Sequence, residues 1–383
     1  MKSAVAGLFF LAPAIVVMAG GACTESGSVI VTTDAAATDA AAAKDGTSAS
    51  DAKSIDDSGF DAACVTDTRN AIAPAAYLEL VIDGSSSMTG TKWAATISAV
   101  GAYVDALLAK GDPTLGLGLV MFSDTHDPSN GDGPYPTSKD SIPRAIDQIV
   151  RTALRARIDN AAPAGPSSVF SALRGAYSLL EGMPVLPPLV DGGKKAVLLL
   201  ADGPPSDDPS FQGAIDLVRD KRDGSKIKTF SVGLGPFPQA EGYSSDFMGD
   251  IAIAGGTATN PQCNPHTSTL TDICHIQVTP NARTAQDIST DLVKAIHKVH
   301  ASVSACEYTV EGGTPPDPTR VNLLWIDATK QERLLTQGPV DGWTVDPASP
   351  DRVLLHGKAC GDVSASEGSK LRVLLGCDTR IGK

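Results

Sequence analysis

The stretch YLELVIDGSSSMTGTKW, residues 77–93, joins an apolar, strand-like run to the start of an amphipathic helix. One carboxylate, Asp83, and the three hydroxyls of residues 85–87 fill the junction. Clusters of Ser and Asp are common in turns, because their side chains bond nearby backbone groups. In an open α/β sheet, however, the junction between the carboxyl end of a strand and the next helix borders the crevice where ligands bind. This polar cluster is therefore a candidate binding site.

Apolar strands and helices alternate from residue 77 to residue 303. The spacing predicts helices at 91–110, 141–157, 167–182, 210–223 and 282–303, and strands at 77–83, 114–123, 195–202 and 227–235. Apolar strands separated by helices are typical of parallel sheets that are covered on both faces. The sequence therefore predicts a doubly wound, mostly parallel α/β sheet with helices on both faces.

The pattern changes beyond residue 303. Short strands such as CEYTVEG at 306–312 and KLRVLLGC at 370–377 alternate with turns rich in Pro, Gly and Asp. We expect a small β-rich C-terminal module at residues 304–383 that forms a unit of its own.

Three loops of the predicted sheet carry oxygen ligands at strand ends. Asp83 begins a D-x-S-x-S motif, Asp202 ends the strand at 195–202, and Ser167 and Ser168 enter a helix. Parallel strands bring such loops to the same edge, where two carboxylates would repel each other without a cation. Oxygen ligands without nitrogen or sulfur select Mg²⁺, Ca²⁺ or Mn²⁺. The candidate metal ligands are Asp83, Ser85, Ser87, Asp202 and one of the hydroxyls of Ser167 and Ser168, whereas the nearby Asp207 and Asp208 are expected to be solvated charges.

Together these loops resemble the metal-ion-dependent adhesion site of von Willebrand factor type A domains. That family reads D-x-S-x-S, then a Thr in a Gly-Thr-x-Thr-like loop, then an Asp in a T-D-G turn. Here Ser167 aligns with the metal-binding Thr, although a shift of one residue would place Ser168 there, and Ala201 replaces the Thr before Asp202. The resemblance implies Mg²⁺, or otherwise Ca²⁺ or Mn²⁺, and a protein or surface ligand that offers a carboxylate to the metal.

The first 23 residues, MKSAVAGLFFLAPAIVVMAGGAC, have the layout of an export signal. The small residues before Cys23 are similar to the lipobox of bacterial lipoproteins, although Gly20 stands where Leu is usual. This similarity implies lipidation of Cys23 and an anchor in the bacterial cell envelope, on the outer membrane because Thr24 is not the retaining Asp. The protein would then face the periplasm or the cell surface. The alternative is a secreted protein cleaved near Ala22.

Residues 24–63 are rich in Ala, Asp, Ser and Thr and contain almost nothing to bury. Such a composition predicts a disordered acidic linker. The von Willebrand resemblance covers roughly residues 75–303, so we expect that domain at 64–303.

Seven Cys occur in the chain, and six remain if Cys23 is lipidated. An even number in an oxidising compartment predicts disulfides. The segment CNPHTSTLTDICH at 263–275 allows either a Cys263–Cys274 disulfide or a zinc site with His266 and His275. The adjacent Cys-His pair is awkward for one tetrahedron, which favours the disulfide.

The remaining disulfides follow from the family resemblance. The two ends of a von Willebrand factor type A domain lie near each other, which implies a Cys64–Cys306 pair. Cys360–Cys377 is then left within the β module.

The composition and the absent motifs exclude several functions. A formal net charge of −13 and the lack of basic runs argue against nucleic acid and against membrane contact other than through a lipid anchor. No G-x-S-x-G elbow or G-x-x-x-x-G-K-[ST] loop occurs, and none of the six His lies in the three loops. We therefore expect a non-enzymatic protein, and the von Willebrand resemblance implies adhesion-type binding. The alternatives are a structural cell-envelope component or a metal-dependent hydrolase.

Overall fold

The computed structural model describes residues 62–122, 141–184, 186–189, 192–237, 243–281, 283–304, 306–315, 317–366 and 369–381, which belong to one compact unit. The expected signal segment, the Cys23 lipidation site and nearly all of the expected linker lie outside these residues. No helix within the described ranges is long and apolar enough to cross a membrane.

The first part of the chain forms a six-stranded sheet with helices on both faces. The described chain begins with β1 (Asp67–Ile72), which belongs to a second sheet. The elements of the six-stranded sheet and its helices are β2 (Ala76–Asp83), α1 (Thr91–Lys110), β3 (Leu115–Phe122), β4 (Arg144–Ala145), α2 (Gln148–Asn160), α3 (Val169–Gly182), β5 (Lys194–Ala201), α4 (Gln212–Ser225), β6 (Lys228–Leu234), α5 (Ser245–Ala254), β7 (Ile276–Val278) and α6 (Ala285–Ser304). The strand order is β4-β3-β2-β5-β6-β7, and all neighbours are parallel except the short edge strand β4. The predicted doubly wound α/β fold is confirmed.

Strand β2 lies at the centre of this sheet and is buried along all eight residues. Leu78, Leu80 and Ile82 join the core under α1, α2 and α6, whereas Tyr77 and Val81 face the core under α3, α4 and α5. Successive side chains of a strand point to opposite faces, so a strand covered on both sides is mostly apolar, and in β2 only Glu79 and the terminal Asp83 are charged. The central position of β2 places its carboxyl end between two neighbouring strands.

Two helices differ from the sequence prediction. Helix α2 begins seven residues later than expected, because Asp147 caps it by accepting a hydrogen bond from Val150 N at 2.7 Å. Helix α5 was not predicted, since its sequence SDFMGDIAIA is largely apolar and shows no clear amphipathic period. The helix packs into the core through its own residues Phe247, Met248 and Ile251.

The second sheet has seven antiparallel strands in the order β10-β9-β13-β1-β8-β12-β11. Its further elements are β8 (Glu307–Val310), β9 (Val321–Ile326), β10 (Glu332–Leu335), β11 (Trp343–Asp346), β12 (Ser349–Leu355), α7 (Gly357–Ala365) and β13 (Lys370–Leu375). Strand β1 pairs with β13 and β8, although it precedes the whole first sheet in the chain. The expected domain boundary at residue 64 therefore does not follow the sheets, and the C-terminal module contains one helix besides its strands.

The disulfides follow the position of β1. Cys263 and Cys274 are joined, which is the pair expected from the sequence, and this leaves no thiolates for the alternative zinc site. The expected Cys64–Cys306 and Cys360–Cys377 pairs are wrong. The chain instead forms Cys64–Cys377 and Cys306–Cys360. The reason is that β1 lies beside β13, which brings Cys64 to Cys377, while Cys306 at the start of β8 lies beside α7.

We predict that removing the Cys64–Cys377 bond destabilises the protein much more than removing the Cys263–Cys274 bond. The first pair is 313 residues apart and the second only 11. Closing the longer loop removes more entropy from the unfolded chain, so the Cys64→Ser/Cys377→Ser variant should lose about 3–5 kcal/mol of unfolding free energy. Denaturant unfolding of both double variants measures the difference. Equal losses would contradict the chain-entropy argument.

Candidate metal centre

Asp83 is the last residue of β2 and has no exposed surface. Its Oδ1 accepts a hydrogen bond from Ser85 N at 2.8 Å, and its Oδ2 accepts one from Ser167 Oγ at 2.9 Å. A buried carboxylate is costly unless hydrogen bonds satisfy its oxygens, and these two bonds meet part of that need. Ser167, rather than Ser168, therefore supplies the hydroxyl from the second loop to this carboxylate.

Asp202 follows β5 on the same edge of the sheet and is almost fully buried. Its Oδ1 accepts a hydrogen bond from Ser87 Oγ at 2.8 Å, and the hydroxyls of Ser85 and Ser87 lie 2.8 Å apart. The hydrogen bonds form one continuous network. It contains all five residues expected as metal ligands, which are Asp83, Ser85, Ser87, Ser167 and Asp202. Ser87 is exposed, so the network reaches the protein surface.

Backbone hydrogen bonds fix the positions of the three loops relative to one another. Ser86 N donates to Gly165 O at 3.0 Å, and Ala164 N donates to Gly84 O at 2.8 Å, which joins the first loop to the second. Ser206 N donates to Ser167 O at 2.8 Å, which joins the second loop to the third. The positions of the side-chain oxygens are thus fixed by the main chain.

The expectation that Asp207 and Asp208 are solvated charges is wrong. Asp207 accepts hydrogen bonds from Phe170 N at 3.1 Å and Ser171 N at 2.8 Å, and so it caps α3 from the neighbouring loop. Asp208 Oδ2 accepts a hydrogen bond from Ala214 N at 2.9 Å in the first turn of α4. Unpaired N–H groups at a helix start attract carboxylates, and here they anchor the loop that follows Asp202.

Lys92 contributes a charge that the sequence analysis missed. It lies in the first turn of α1, and its ammonium forms an ion pair with Asp202 Oδ2. About a quarter of the Lys92 side chain is exposed, whereas that of Asp202 is almost completely buried. The positive charge of the ammonium therefore partly offsets the repulsion between the two carboxylates. The only signal in the sequence is that Lys92 follows the D-x-S-x-S loop at the start of the helix.

The pKa of Asp83 is raised to about 6. Burial is the main cause, and the negative charge of Asp202 adds to it, while the hydrogen bonds from Ser85 and Ser167 oppose the rise. The charged form of Asp83 is thus disfavoured in the protein without a cation. A divalent cation beside it would reverse both causes, because the cation would replace lost hydration and screen the neighbouring carboxylate.

The ligand set fits a hard divalent cation. It offers two buried carboxylates and three hydroxyls, and neither nitrogen nor sulfur, which suits Mg²⁺, Ca²⁺ or Mn²⁺. In the described part of the chain, no group of three or more His, Cys, Asp and Glu side chains is placed to hold a metal. A cation at this edge of the sheet would therefore depend on the serine hydroxyls as well as on the two carboxylates.

Comparisons with known proteins agree with the fold. The sequence profile of the von Willebrand factor type A domain matches residues 78–273, which is more than half of the chain. No curated protein matches.

Several solved structures are similar to parts of the chain. A von Willebrand factor type A protein from Catenulispora acidiphila is 14% identical, with a TM-score of 0.42 over 81% of this chain and 60% of that one. The pilus adhesin SpaC from Lactobacillus rhamnosus GG, in its open conformation, is 11% identical, with a TM-score of 0.42 over 79% of this chain and 38% of that one. Manganese-loaded TRAP protein from Plasmodium vivax is 17% identical, with a TM-score of 0.38 over 73% of this chain and 84% of that one. The chain thus spans less than two thirds of the first two proteins.

We predict that divalent-cation affinity falls in acid. A cation must displace the proton from Asp83, so binding should be about tenfold weaker at pH 5 than at pH 7. The raised pKa also means that the cation-free fold binds more protons than the unfolded chain, so its stability should fall as pH rises from about 4 to about 6. Calorimetric titrations at several pH values measure the first effect, and unfolding curves measure the second. In the Asp83→Asn variant both effects should disappear.

We predict opposite effects of Lys92→Met on stability and on metal affinity. Loss of the ammonium leaves the buried Asp202 with less compensation, so the cation-free protein should lose about 1–3 kcal/mol. The same change removes a positive charge that repels a divalent cation, so affinity should rise. Thermal unfolding and calorimetric titration test both. Lys221→Met, which removes the surface ion pair with Glu181, serves as the control. Weaker metal binding by Lys92→Met would contradict this account.

Proposed function

This chain belongs to the von Willebrand factor type A family, and we propose that it binds a protein or surface ligand through a divalent cation at the Asp83–Asp202 site. The single observation that carries the proposal is the hydrogen-bond network that links the two buried carboxylates through Ser85 and Ser87 and adds Ser167 as a second donor to Asp83. It gathers hard oxygen ligands from three loops at the edge of the sheet where ligands bind in α/β folds.

The chain's own residues divide the work of holding the cation. Asp83 and Asp202 supply the negative charge, and the hydroxyls of Ser85, Ser87 and Ser167 supply neutral oxygens. The bound cation would supply a positive charge that accepts a carboxylate from the ligand. That charge matters in a chain with a net charge of −13, which otherwise repels acidic partners. Because Ser87 is exposed, a ligand can approach from that side of the network.

We propose Mg²⁺ as the resident ion, with Ca²⁺ or Mn²⁺ as alternatives. Mg²⁺ is six-coordinate with oxygen ligands, so a set of at most five protein oxygens leaves room for water or for a carboxylate of the ligand. The role is non-catalytic, because the described site residues include no His and no third carboxylate to act as a base.

The location is extracytoplasmic in this proposal. Disulfides persist in oxidising compartments, and three join Cys residues within the described ranges. The export signal at 1–23 and lipidation at Cys23 would attach the protein to the bacterial outer membrane. Residues 24–63 would then form a spacer between that anchor and the folded unit.

One observation favours a second candidate, which is a structural component of the cell envelope. The ion pair between Lys92 and Asp202 places a cation of the chain itself in the site. If that ammonium meets the need for positive charge, the domain can serve assembly without regulated metal chemistry.

The test uses the full chain and a matched pair of immobilised peptides that differ only in one Glu or Gln. We expect the Glu peptide to bind in Mg²⁺ and to dissociate when the metal is removed. Asp83→Ala should abolish this binding, because it removes both a metal ligand and the partner of Ser167. Binding by the folded Asp83→Ala variant at wild-type strength would reject the proposal. Failure of the wild type to bind Mg²⁺, Ca²⁺ or Mn²⁺ would favour the structural role.

A further inference from the structure

A large cavity lies between the two sheets, at the end of the first sheet opposite the Asp83–Asp202 site. Its volume is about 1100 Å³. Ala73, Thr114 and Lys228 line it just before or at the starts of β2, β3 and β6, which are the amino ends of parallel strands. The C-terminal half of α6 forms one further wall, and α7 with the start of β13 forms another.

The charged side chains that line this cavity are mostly basic, whereas the whole protein has a negative net charge. The lining includes four lysines and two histidines, but Asp112 is the only acidic residue among the lining side chains that the structure describes. The chain as a whole has 44 acidic and 31 basic residues. The lysines and histidines come from α1, β6, α6 and β13, and they are Lys110, Lys228, His297, Lys298, His300 and Lys370.

Three of the four lysines have no acidic partner among the residues that the structure describes. Lys228, Lys298 and Lys370 form no ion pair within 4 Å with any residue in the described ranges. Lys110 Nζ lies 3.8 Å from Asp112 Oδ2, and the other oxygen of Asp112 accepts hydrogen bonds from the backbone and side chain of Thr114. Among the described residues, Asp112 therefore pairs with Lys110 and with none of the other three lysines.

The groups around Lys228 also carry more positive than negative charge. The Lys228 side chain is exposed to solvent, but partial loss of hydration in the cleft and the positive charge of Lys194 lower its pKa, and Glu307 only partly opposes these effects. Glu307 already pairs with Lys194 and Arg352, each at 3.0 Å. The positive charge around Lys228 thus exceeds the negative charge, and an added anion would relieve that repulsion.

We propose that this cavity, the lysine cleft of Lys110, Lys228, Lys298 and Lys370, binds a small molecule with several anionic groups of phosphate or carboxylate chemistry. Its volume is slightly above the usual range for small-molecule sites, so it accommodates more than one inorganic ion. Each ammonium offers three donors on a flexible stem, which allows the lysines to adapt to separated anionic groups. The site is distinct from the metal centre and does not rest on the proposed function.

A bound polyanion would also join the two sheets. Lys110, Lys228 and Lys298 belong to the first sheet and its helices, whereas Lys370 begins β13 of the second. A ligand that contacts both sets stabilises their junction, so binding should raise the unfolding temperature. High salt should weaken the effect, because the lysines are exposed to solvent.

Calorimetric titration of the full chain tests the cleft. The buffer is depleted of divalent ions on a chelating resin and has low ionic strength, and the probes are inorganic phosphate, tripolyphosphate and citrate. We expect tripolyphosphate or citrate to bind more tightly than phosphate, and the stronger of the two identifies phosphate or carboxylate as the preferred group. No binding of either polyanion at up to about 10 mM, which corresponds to a binding free energy weaker than about 2.7 kcal/mol, would overturn the proposal.

Variants of exposed lysines locate the binding. Lys298→Gln/Lys370→Gln should weaken binding by about tenfold or more, whereas the charge-preserving Lys298→Arg/Lys370→Arg should retain most of it. Lys294→Gln is the matched control, because Lys294 lies on the same helix but pairs with Asp291 outside the cleft. Asp83→Ala should bind the polyanion normally. Equal weakening by Lys294→Gln and by the double Gln variant would overturn the assignment to the cleft.

Discussion

The buried carboxylate of Asp83 is the constraint that organises one edge of the molecule. It ends a central strand with no exposed residue, so water cannot satisfy its oxygens. The first and second loops must therefore bring donors to it, and Ser85 N and Ser167 Oγ do so. The remaining hydroxyls connect it to Asp202, where Lys92 supplies a counter-charge. The geometry of three loops thus follows from the need to accommodate one carboxylate.

The second sheet changes how the chain is divided. Strand β1 precedes the α/β sheet and β8 follows it, yet the two strands are neighbours in the antiparallel sheet. The α/β domain is therefore an insertion between two adjacent strands of the other sheet, with both of its connections on the same side. The lysine cleft lies at this junction, because residues after β1 and residues of α7 and β13 line it together with the amino ends of the parallel strands.

Local pattern was sufficient to predict the four long parallel strands of the α/β sheet and the loops at their ends, but not the short strands β4 and β7. Where an apolar strand ends in Asp83 or Asp202, the same few residues show both where the strand ends and which polar group lies at that end. The position and the chemistry of the site can therefore be predicted together. Features that depend on distant partners were missed. The polar stretch of β1 becomes a strand only beside β13, about 300 residues later, and the disulfide pairs changed with it. Lys92 was missed because spacing does not show where a long side chain folds.

The Cys64–Cys377 bond determines how β1 responds to a pulling force. The bond lies just before β1 and just after β13, at the end where the N-terminal segment enters the folded unit. A pulling force on that segment reaches the covalent bond before it reaches the first hydrogen bond between β1 and β13. The strand therefore cannot be unzipped from its N-terminal end, and tension passes directly into the middle of the antiparallel sheet. If the protein is attached by its N-terminus and binds a ligand, a force between the attachment and the ligand would be carried by this bond.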